Sequence, residues 1–325
     1  MPQTILVTGG AGFIGAHVAR ALLTRGDQVV VVDNFNDYYD PKLKEARVKQ
    51  LLGEFRPTIV RADICDRAAM EAVFQHHRFD KICHLAAQAG VRYSMENPHA
   101  YVQTNVVGML NLLELDRQYG NPPFIFSSSS SVYGRNEKIP FAEDDPVNQP
   151  ISIYGATKRA GELLAYTYHH LYGVPCTGLR FFTVYGPWGR PDMAYFRFTR
   201  DILAGKTIQL FNRGAMARDF TSIDDIVAGV VAAIDRSFPY ELINLGNHHP
   251  VLLREFVRAL ESALGVKAKT ELAPMHRSDF VQNYADITKA QELLAWQPKT
   301  PLAEGITEFV QWYRAYHQLQ NLPPV

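Results

Sequence analysis

A tyrosine and a lysine stand four residues apart in the sequence Tyr-Gly-Ala-Thr-Lys, at Tyr154 and Lys158. On a helix this spacing places both side chains on one face. A cation beside a phenol favours the phenolate, so we expect the pKa of Tyr154 to fall from its usual value of about 10 toward neutrality. Such a tyrosine can remove the proton of a hydroxyl while a hydride leaves the same carbon. The spacing is also common at ordinary helix starts, so the interpretation depends on the rest of the chain.

Five consecutive serines, residues 127–131, follow an apolar run at residues 124–126. If that run is a buried parallel strand, the serines lie at its carboxyl end, where doubly wound folds bind their ligands. The hydroxyl of Ser129, or alternatively that of Ser131, could then hydrogen-bond the reacting oxygen. A serine run can also be a flexible linker, but a linker directly after a buried strand is unexpected.

A glycine-rich motif, Thr-Gly-Gly-Ala-Gly-Phe-Ile-Gly, occupies residues 8–15, between an apolar run and a helical pattern. Gly9, Gly12 and Gly15 let the backbone turn tightly and approach a pyrophosphate, and the following helix offers its N–H groups and positive dipole end to the phosphates. The next apolar run ends at Asp33, whose carboxylate can accept hydrogen bonds from ribose hydroxyls. Because this carboxylate would repel a 2′-phosphate, we expect NAD as the cofactor and not NADP.

A second acidic residue, Asp63, follows the third predicted strand together with Ile64. At this place in a dinucleotide-binding fold it could face the edge of the adenine. It could equally cap the helix that is predicted to begin near Asp66.

The elements that must position these residues follow from short apolar runs that alternate with amphipathic, helix-like segments. The apolar runs are residues 5–7, 29–32, 59–60, 81–85, 124–126 and 176–179. This rhythm predicts a parallel sheet with helices on both faces and right-handed crossovers. It becomes irregular after about residue 182. We therefore predict an α/β fold, in which a Rossmann-type doubly wound parallel sheet (residues 1–182, with a returning segment near 221–246) adjoins a smaller α/β C-terminal substrate lobe (mainly 183–325).

Composition excludes several classes of partner. The 33 Lys and Arg residues balance the 33 Asp and Glu residues, which gives no sign of nucleic-acid or anionic-membrane binding. No apolar run reaches the roughly 18 residues of a membrane span, and we find no signal peptide. The three scattered cysteines, Cys65, Cys83 and Cys176, match neither a disulfide framework nor a zinc site. We expect a cytoplasmic protein without a bound metal.

Together, the glycine motif, the serines after a strand and the Tyr154/Lys158 pair resemble the extended short-chain dehydrogenase/reductase superfamily, in its nucleotide-sugar branch. The resemblance runs from about residue 4 to about residue 312. It implies Ser129, Tyr154 and Lys158 as catalytic residues, and a homodimer that forms through two helices per subunit, around residues 102–119 and 161–172. The cofactor site that it implies consists of Gly9, Gly12, Phe13, Ile14, Gly15, Asp33, Asn34, Asp63, Ile64, Leu85, Ala86, Ala87, Asn105, Tyr154 and Lys158.

The residues after the serines distinguish the reactions of this branch. Dehydratases resemble S-T-D-E-V-Y-G and UDP-glucuronate decarboxylases resemble S-T-S-E-V-Y-G, whereas this chain has Ser130 and Ser131 and no carboxylate at the matching positions. An epimerase needs no additional acid, since it oxidises C4, rotates the keto sugar and returns the hydride to the other face. We therefore predict NAD-dependent C4 epimerisation of a UDP-sugar.

The identity of the sugar is predicted from two stretches, residues 39–44 and 183–196, which resemble the UDP-glucuronate 4-epimerases. Galactose-type epimerases usually carry Asn at the position of Thr183. Thr183 and the serines could hydrogen-bond a C6 carboxylate, and Arg92 or Arg190 could add charge or form salt bridges elsewhere. The resemblance thus implies conversion of UDP-glucuronate to UDP-galacturonate. The alternatives are a UDP-glucose 4-epimerase, a UDP-glucuronate decarboxylase and, in a different class, a non-catalytic NAD-binding sensor.

The UDP moiety is expected to bind through the C-terminal lobe. By resemblance, Arg218 binds the diphosphate as a planar cation, and Phe211 either packs against uracil or belongs to the core. The sequence departs from its relatives at residues 276–279, where they commonly show Pro-Gly-Asp, so the second phosphate ligand is open and we choose Arg277. The implied substrate contacts are Arg92, Ser129, Ser130, Ser131, Thr183, Arg190, Tyr195, Phe211, Arg218 and Arg277.

Overall fold

The computed structural model describes residues 2–274 and 281–319 of the 325-residue chain. The strands are β1 (Thr4–Thr8), β2 (Gln28–Asp33), β3 (Thr58–Arg61), β4 (Lys81–His84), β5 (Phe124–Ser129), β6 (Cys176–Phe181), β7 (Thr183–Tyr185), β8 (Thr207–Phe211), β9 (Ala217–Ser222), β10 (Tyr240–Leu245), β11 (Pro250–Leu252), β12 (Lys269–Ala273) and β13 (Gln282–Asn283). The helices are α1 (Phe13–Thr24), α2 (Pro41–Arg47), α3 (Arg67–His76), α4 (Tyr93–Glu96), α5 (Pro98–Val102), α6 (Met109–Gln118), α7 (Ile153–Tyr172), α8 (Ala194–Leu203), α9 (Ile223–Asp235), α10 (Leu253–Leu264), α11 (Thr288–Leu294) and α12 (Leu302–Tyr316).

The main sheet has seven strands in the order β10-β6-β5-β4-β1-β2-β3, and its neighbouring strands are parallel. The predicted α/β fold with a Rossmann-type parallel sheet is confirmed. β10 lies in the stretch that was expected to return to the first sheet, and it pairs with β6. The strand order reverses between β1 and β4, and doubly wound folds bind ligands at the carboxyl ends of strands at such a point.

The continuous apolar runs of the strands are explained by burial on both faces of this sheet. In β1, Ile5 and Val7 belong to a core that also contains residues of α1, α9 and α11. Leu6, between them, points to the opposite core, which is built with α3, α6 and α7. Alternate side chains of one strand therefore serve two cores, which fixes the register of the strand ends that carry the polar residues described below.

The C-terminal lobe has an aromatic core of its own, formed by α8, α10 and α12 against short strands. β9 pairs with β7, β11 and β13, and β8 pairs with β12. The irregular spacing after residue 182 reflects these short strands. Within residues 2–274 and 281–319, no helix combines the length and apolar character that crossing a membrane requires.

Candidate active site

A cleft of about 340 Å³ opens at the carboxyl end of the main sheet, and it includes the point between β1 and β4 where the strand order reverses. Most of the residues that the sequence predicted for the site line this cleft. They are Gly9, Gly12, Phe13, Ile14, Gly15, Asp33, Asn34, Asp63, Ile64, Leu85, Ala86, Ala87, Ser129, Ser130, Ser131, Tyr154, Lys158, Thr183 and Arg190.

The glycine-rich loop between β1 and α1 requires glycine for both conformation and packing. Gly9 has φ +68°, and a Cβ there would lie 2.7 Å from the backbone of Ala86. A Cβ at Gly15 would collide with the carbonyl oxygen of Gly9. Gly12 is the N-cap of α1 and provides no side-chain cap, and the first turn has no acidic residue. The first N–H groups of α1 therefore face the cleft without a side chain that competes for them, as an anion site requires.

The Asp33 carboxylate is held at the end of β2 by backbone donors. One oxygen accepts the N–H of Ala11 at 3.1 Å, and the other accepts the N–H of Phe35 at 2.8 Å. The ammonium of Lys44 lies 3.8 Å away. This carboxylate lines the cleft beside the glycine loop, so the arrangement fits the ribose of a dinucleotide with free hydroxyls.

Asp63 lies next to Asn34, which donates a hydrogen bond to its carboxylate at 2.8 Å. Burial acts to raise the pKa of Asp63, but the N–H of Cys65 and the amide of Asn34 hold that pKa below its usual value. The N-cap of α3 is Asp66, whose side chain accepts the N–H of Ala69. The capping role that was an alternative for Asp63 therefore belongs to Asp66, and Asp63 lines the cleft.

Asn105 lies behind the cleft wall and does not line it. Its side chain accepts the N–H of Gln88 at 2.8 Å and donates to the carbonyl of Gln88 at 3.0 Å. It also donates to the hydroxyl of Thr157 at 3.0 Å. Asn105 thus forms a buried link between the loop after β4 and α7.

The catalytic pair lies in the first turns of α7, a helix capped by Ser152, whose hydroxyl accepts the N–H of Gly155. The Lys158 ammonium donates to the carbonyl and the hydroxyl of Ser127, at 2.7 and 3.0 Å. Burial lowers the pKa of Lys158 to about 7, opposed by the charge of Glu162. The amine can therefore change its protonation near neutral pH.

The expected lowering of the Tyr154 pKa by Lys158 is wrong for this structure. Burial raises the pKa of Tyr154, while the Ser129 hydroxyl and the Arg190 charge act to lower it and Asp192 acts to raise it. The Lys158 ammonium turns toward β5 instead of the phenol. A cation from another loop, Arg190, therefore acts on the phenol.

The serines at residues 128–131 each take part in a specific hydrogen bond. Ser128 donates to the Glu162 carboxylate at 2.6 Å. The Ser129 oxygen accepts the N–H of Ser131 at 3.2 Å. The amide of Asn283, from the C-terminal lobe, donates to Ser130 at 3.4 Å. The linker alternative is wrong, because Ser127 to Ser129 end β5 and the run continues into a buried turn.

A buried ion pair supports this strand end, and sequence reasoning missed it. Arg180 contacts the Glu162 carboxylate through two nitrogens, at 2.8 and 3.0 Å, and both side chains are at most 1% exposed. Arg180 also donates to the hydroxyl of Tyr133. Glu162 lies four residues after Lys158, and that helical spacing was the available signal.

Arg190 lines the cleft and forms a two-point ion pair with Asp192, at 3.0 and 2.5 Å. Burial acts to raise the pKa of Asp192, but the Arg190 guanidinium holds it below the usual value. Tyr38 donates to the same carboxylate at 3.2 Å. The two alternatives for Arg190, a cleft residue or a salt bridge, therefore hold together. Thr183, at the start of β7, also lines the cleft.

Three further predicted substrate contacts, Arg92, Phe211 and Arg218, do not line the cleft. The guanidinium of Arg92 lies 4.6 Å from the ring centre of half-buried Phe211. Arg218 is half-buried and donates to the carbonyl of Ala217. Arg277 lies outside the described residues.

Tyr195 was predicted to contact the substrate, but it is fully buried in the C-terminal core and does not line the cleft. Its ring packs edge-on against Phe309 and Tyr185. The buried positions of α8, which include Tyr195, Thr199 and Ile202, recur at helical spacing. That periodicity in the sequence could have identified Tyr195 as a core residue.

The chain is similar in sequence and in structure to known proteins over most of its length. The model of the NAD-dependent epimerase/dehydratase family matches residues 5–246. UDP-glucuronate 4-epimerase 4 of Arabidopsis thaliana is 52% identical over 332 aligned residues, which cover 97% of this chain and 76% of that protein. The structure of UDP-glucuronic acid 4-epimerase from Bacillus cereus, in complex with UDP-glucuronic acid and NAD, superposes with a TM-score of 0.90 at 35% identity, covering 96% of this chain and 99% of that one. The structure of UDP-glucose 4-epimerase from Thermotoga maritima with UDP-glucose gives 0.88 at 33% identity, covering 97% and 99%.

Proposed function

The chain belongs to the NAD-dependent epimerase/dehydratase family, and from this premise we propose that it inverts C4 of UDP-glucuronate to give UDP-galacturonate. The observation that carries the proposal is a single cleft that holds two sites. One is a dinucleotide cradle made by the glycine loop and Asp33. The other is an acid–base group made by Ser129, Tyr154 and Lys158.

Bound NAD would take the hydride from C4 and return it in the same turnover. In its phenolate form, which the Arg190 charge and the Ser129 hydroxyl stabilise against burial, Tyr154 accepts the proton of the C4 hydroxyl and later gives it back. Ser129 hydrogen-bonds the same oxygen. Lys158 keeps β5 in place through Ser127 and can be charged or neutral near pH 7. The transient 4-keto sugar rotates before the hydride returns to its opposite face.

The positions of the acidic residues in the cleft, away from the proposed sugar site, favour epimerisation over elimination. Among the described residues that line it, the carboxylates are those of Asp33 and Asp63, both at the adenosine side. A 4-keto glucuronate is a β-keto acid that loses CO2 easily. Hydroxyls from Thr183, Ser130 and Ser131 would hold its carboxylate without supplying an acid for decarboxylation.

In this proposal the two lobes bind different ligands. We assign NAD to residues 1–182 with the returning segment near 221–246, and UDP mainly to 183–325. Arg218 as the diphosphate ligand, the Arg92–Phe211 pair near the uracil and Arg277 as a second phosphate ligand are parts of this proposal.

We also propose a homodimer and a cytoplasmic location. Side chains on the outer faces of α6 and α7 are large, apolar and exposed, which is typical of an interface. They are Leu110, Leu163, Tyr166, Leu171 and Tyr172. Free thiols, two of them buried, are consistent with a reducing compartment.

Incubation with UDP-glucuronate and, separately, with UDP-glucose tests the proposal, with products identified by NMR. We expect UDP-galacturonate from the first and little UDP-pentose. UDP-glucose is the second candidate substrate, because the Thermotoga maritima relative was solved with it. Turnover of UDP-glucose alone would contradict the choice of sugar and keep the epimerase assignment.

A further inference from the structure

Residues that flank the first of the two stretches resembling the glucuronate enzymes contact the second stretch in the structure. The first belongs to residues 34–47, here called the ribose segment, which follows β2 and carries Asn34, Tyr38 and Lys44 into the cleft. The second contains residues 186–193, here called the Arg190 loop. They are more than 130 residues apart in the chain, and the proposed reaction assigns no role to their contact.

Arg47 makes most of this contact, and it is fully buried. Its guanidinium donates to the carbonyl of Trp188 at 2.9 Å and to that of Gly189 at 3.2 Å. It also donates to the carbonyl of Ala11 in the glycine loop at 3.2 Å and to the hydroxyl of Tyr39 at 2.6 Å. One side chain therefore joins the glycine loop, the ribose segment and the Arg190 loop.

The Arg190 loop adopts a backbone that is unfavourable without such support. Trp188 has φ +63°, a left-handed conformation that is unfavourable for a residue with a side chain. Gly186 has φ +144°. A Cβ at Gly189 would collide with the hydroxyl of Tyr195. The carbonyls that Arg47 holds belong to two of these residues, so its bonds stabilise the strained part of the loop.

A second contact fixes the far end of the same loop. Tyr38, from the ribose segment, donates to Asp192, and Asp192 holds Arg190 through two bonds. Within the ribose segment, Lys44 donates to Asn36 at 2.8 Å and lies near Asp33. The ribose segment, which carries the groups proposed to contact the ribose, is thus linked through Asp192 to Arg190, which lines the cleft.

We propose that Arg47 is a positioning residue that holds the Arg190 loop against the NAD site, so that NAD and UDP-glucuronate bind cooperatively. The proposal rests on the function proposed above. Lysine cannot replace Arg47, because its point charge lacks the planar fork that reaches three segments at once. Cooperativity is reciprocal, so each ligand should strengthen the binding of the other by the same factor.

The test measures NAD affinity by equilibrium dialysis, alone, with UDP-glucuronate and with UDP. In the wild type, UDP-glucuronate should raise NAD affinity about 10-fold more than UDP does, within the usual range of coupling between sites. Arg47→Lys should lose this difference and should raise the KM for UDP-glucuronate. Tyr38→Phe, which removes one hydroxyl, should reduce the difference in part, and it tests the proposal if the Arg47 variant does not fold.

The matched control is Lys42→Met, an exposed cation on the same helix, which should keep the full difference. Equal effects of UDP-glucuronate and UDP in the wild type would overturn the proposal. So would an undiminished difference in Arg47→Lys or, if that variant does not fold, in Tyr38→Phe. Wild-type turnover is measured separately by NMR. Failure to epimerise with cooperative binding intact would contradict the proposed function and leave this inference standing.

Discussion

Replacing Glu162 by glutamine should lower the free energy of unfolding by about 3–5 kcal/mol, the usual effect of removing one partner of a buried ion pair. The Arg180 guanidinium would keep its charge at 1% exposure and lose the carboxylate that contacts two of its nitrogens. The same change weakens the bond from Ser128, which fixes the end of β5. The loss should therefore be large although the side-chain volume is unchanged.

A double variant separates the missing charge from the missing packing. Glu162→Gln with Arg180→Met removes both partners of the pair and leaves no guanidinium without its carboxylate, so it should recover a large part of the stability lost in the single variant. The matched control is Glu45→Gln, which breaks the exposed pair of Glu45 and Arg61. That change should cost less than about 1 kcal/mol.

Equilibrium urea unfolding, followed by tryptophan fluorescence, gives the order of stability. We expect the wild type and Glu45→Gln to have the highest midpoints, the double variant to be intermediate and Glu162→Gln to be lowest. A Glu162→Gln midpoint equal to that of Glu45→Gln would refute the reasoning. So would a double variant that is no more stable than the single one.

Three further predictions concern single residues. Tyr154→Phe should abolish turnover, measured by NMR, while NAD content after gel filtration stays that of the wild type; near-normal turnover would contradict its role. Burial raises the pKa of Asp116 well above its usual value, so the stability gained in Asp116→Asn should grow as pH rises from about 4 toward that raised pKa, and urea midpoints that do not change with pH would contradict this. Thr183→Val should slow epimerisation of UDP-glucuronate by about 10- to 150-fold, as expected for one lost hydrogen bond to a charged group, and should raise the share of UDP-pentose; an unchanged product ratio would argue against a contact with the carboxylate.

The parts of the site that the sequence predicted are those formed by contiguous residues. The glycine loop contributes through its backbone geometry, and Asp33 lies at the end of one strand. A local motif therefore specifies both. Tyr154 and Lys158 share a helix face, which the spacing predicts directly. The parallel sheet, the family and the epimerase chemistry were predicted from these signals.

What the sequence did not predict depends on contacts between distant segments. The Lys158 ammonium turns to Ser127 on β5, so the pKa of Tyr154 is governed by burial and by Arg190. The contact between Arg47 and the carbonyl of Trp188 spans 141 residues, and no local pattern indicates such a pair. Asn105 was expected at the cofactor, but whether it faces the cleft or lies one layer behind depends on how α7 packs.

The central claim is that the hydride removed from C4 returns to the same sugar from the other face. UDP-glucuronate with deuterium at C4 tests it most directly, with the product followed by NMR and mass spectrometry and the NADH followed by absorbance. We predict UDP-galacturonate that retains the deuterium at C4, with no NADH beyond the enzyme-bound amount. Loss of the deuterium from the product, stoichiometric release of NADH or release of CO2 would contradict the account.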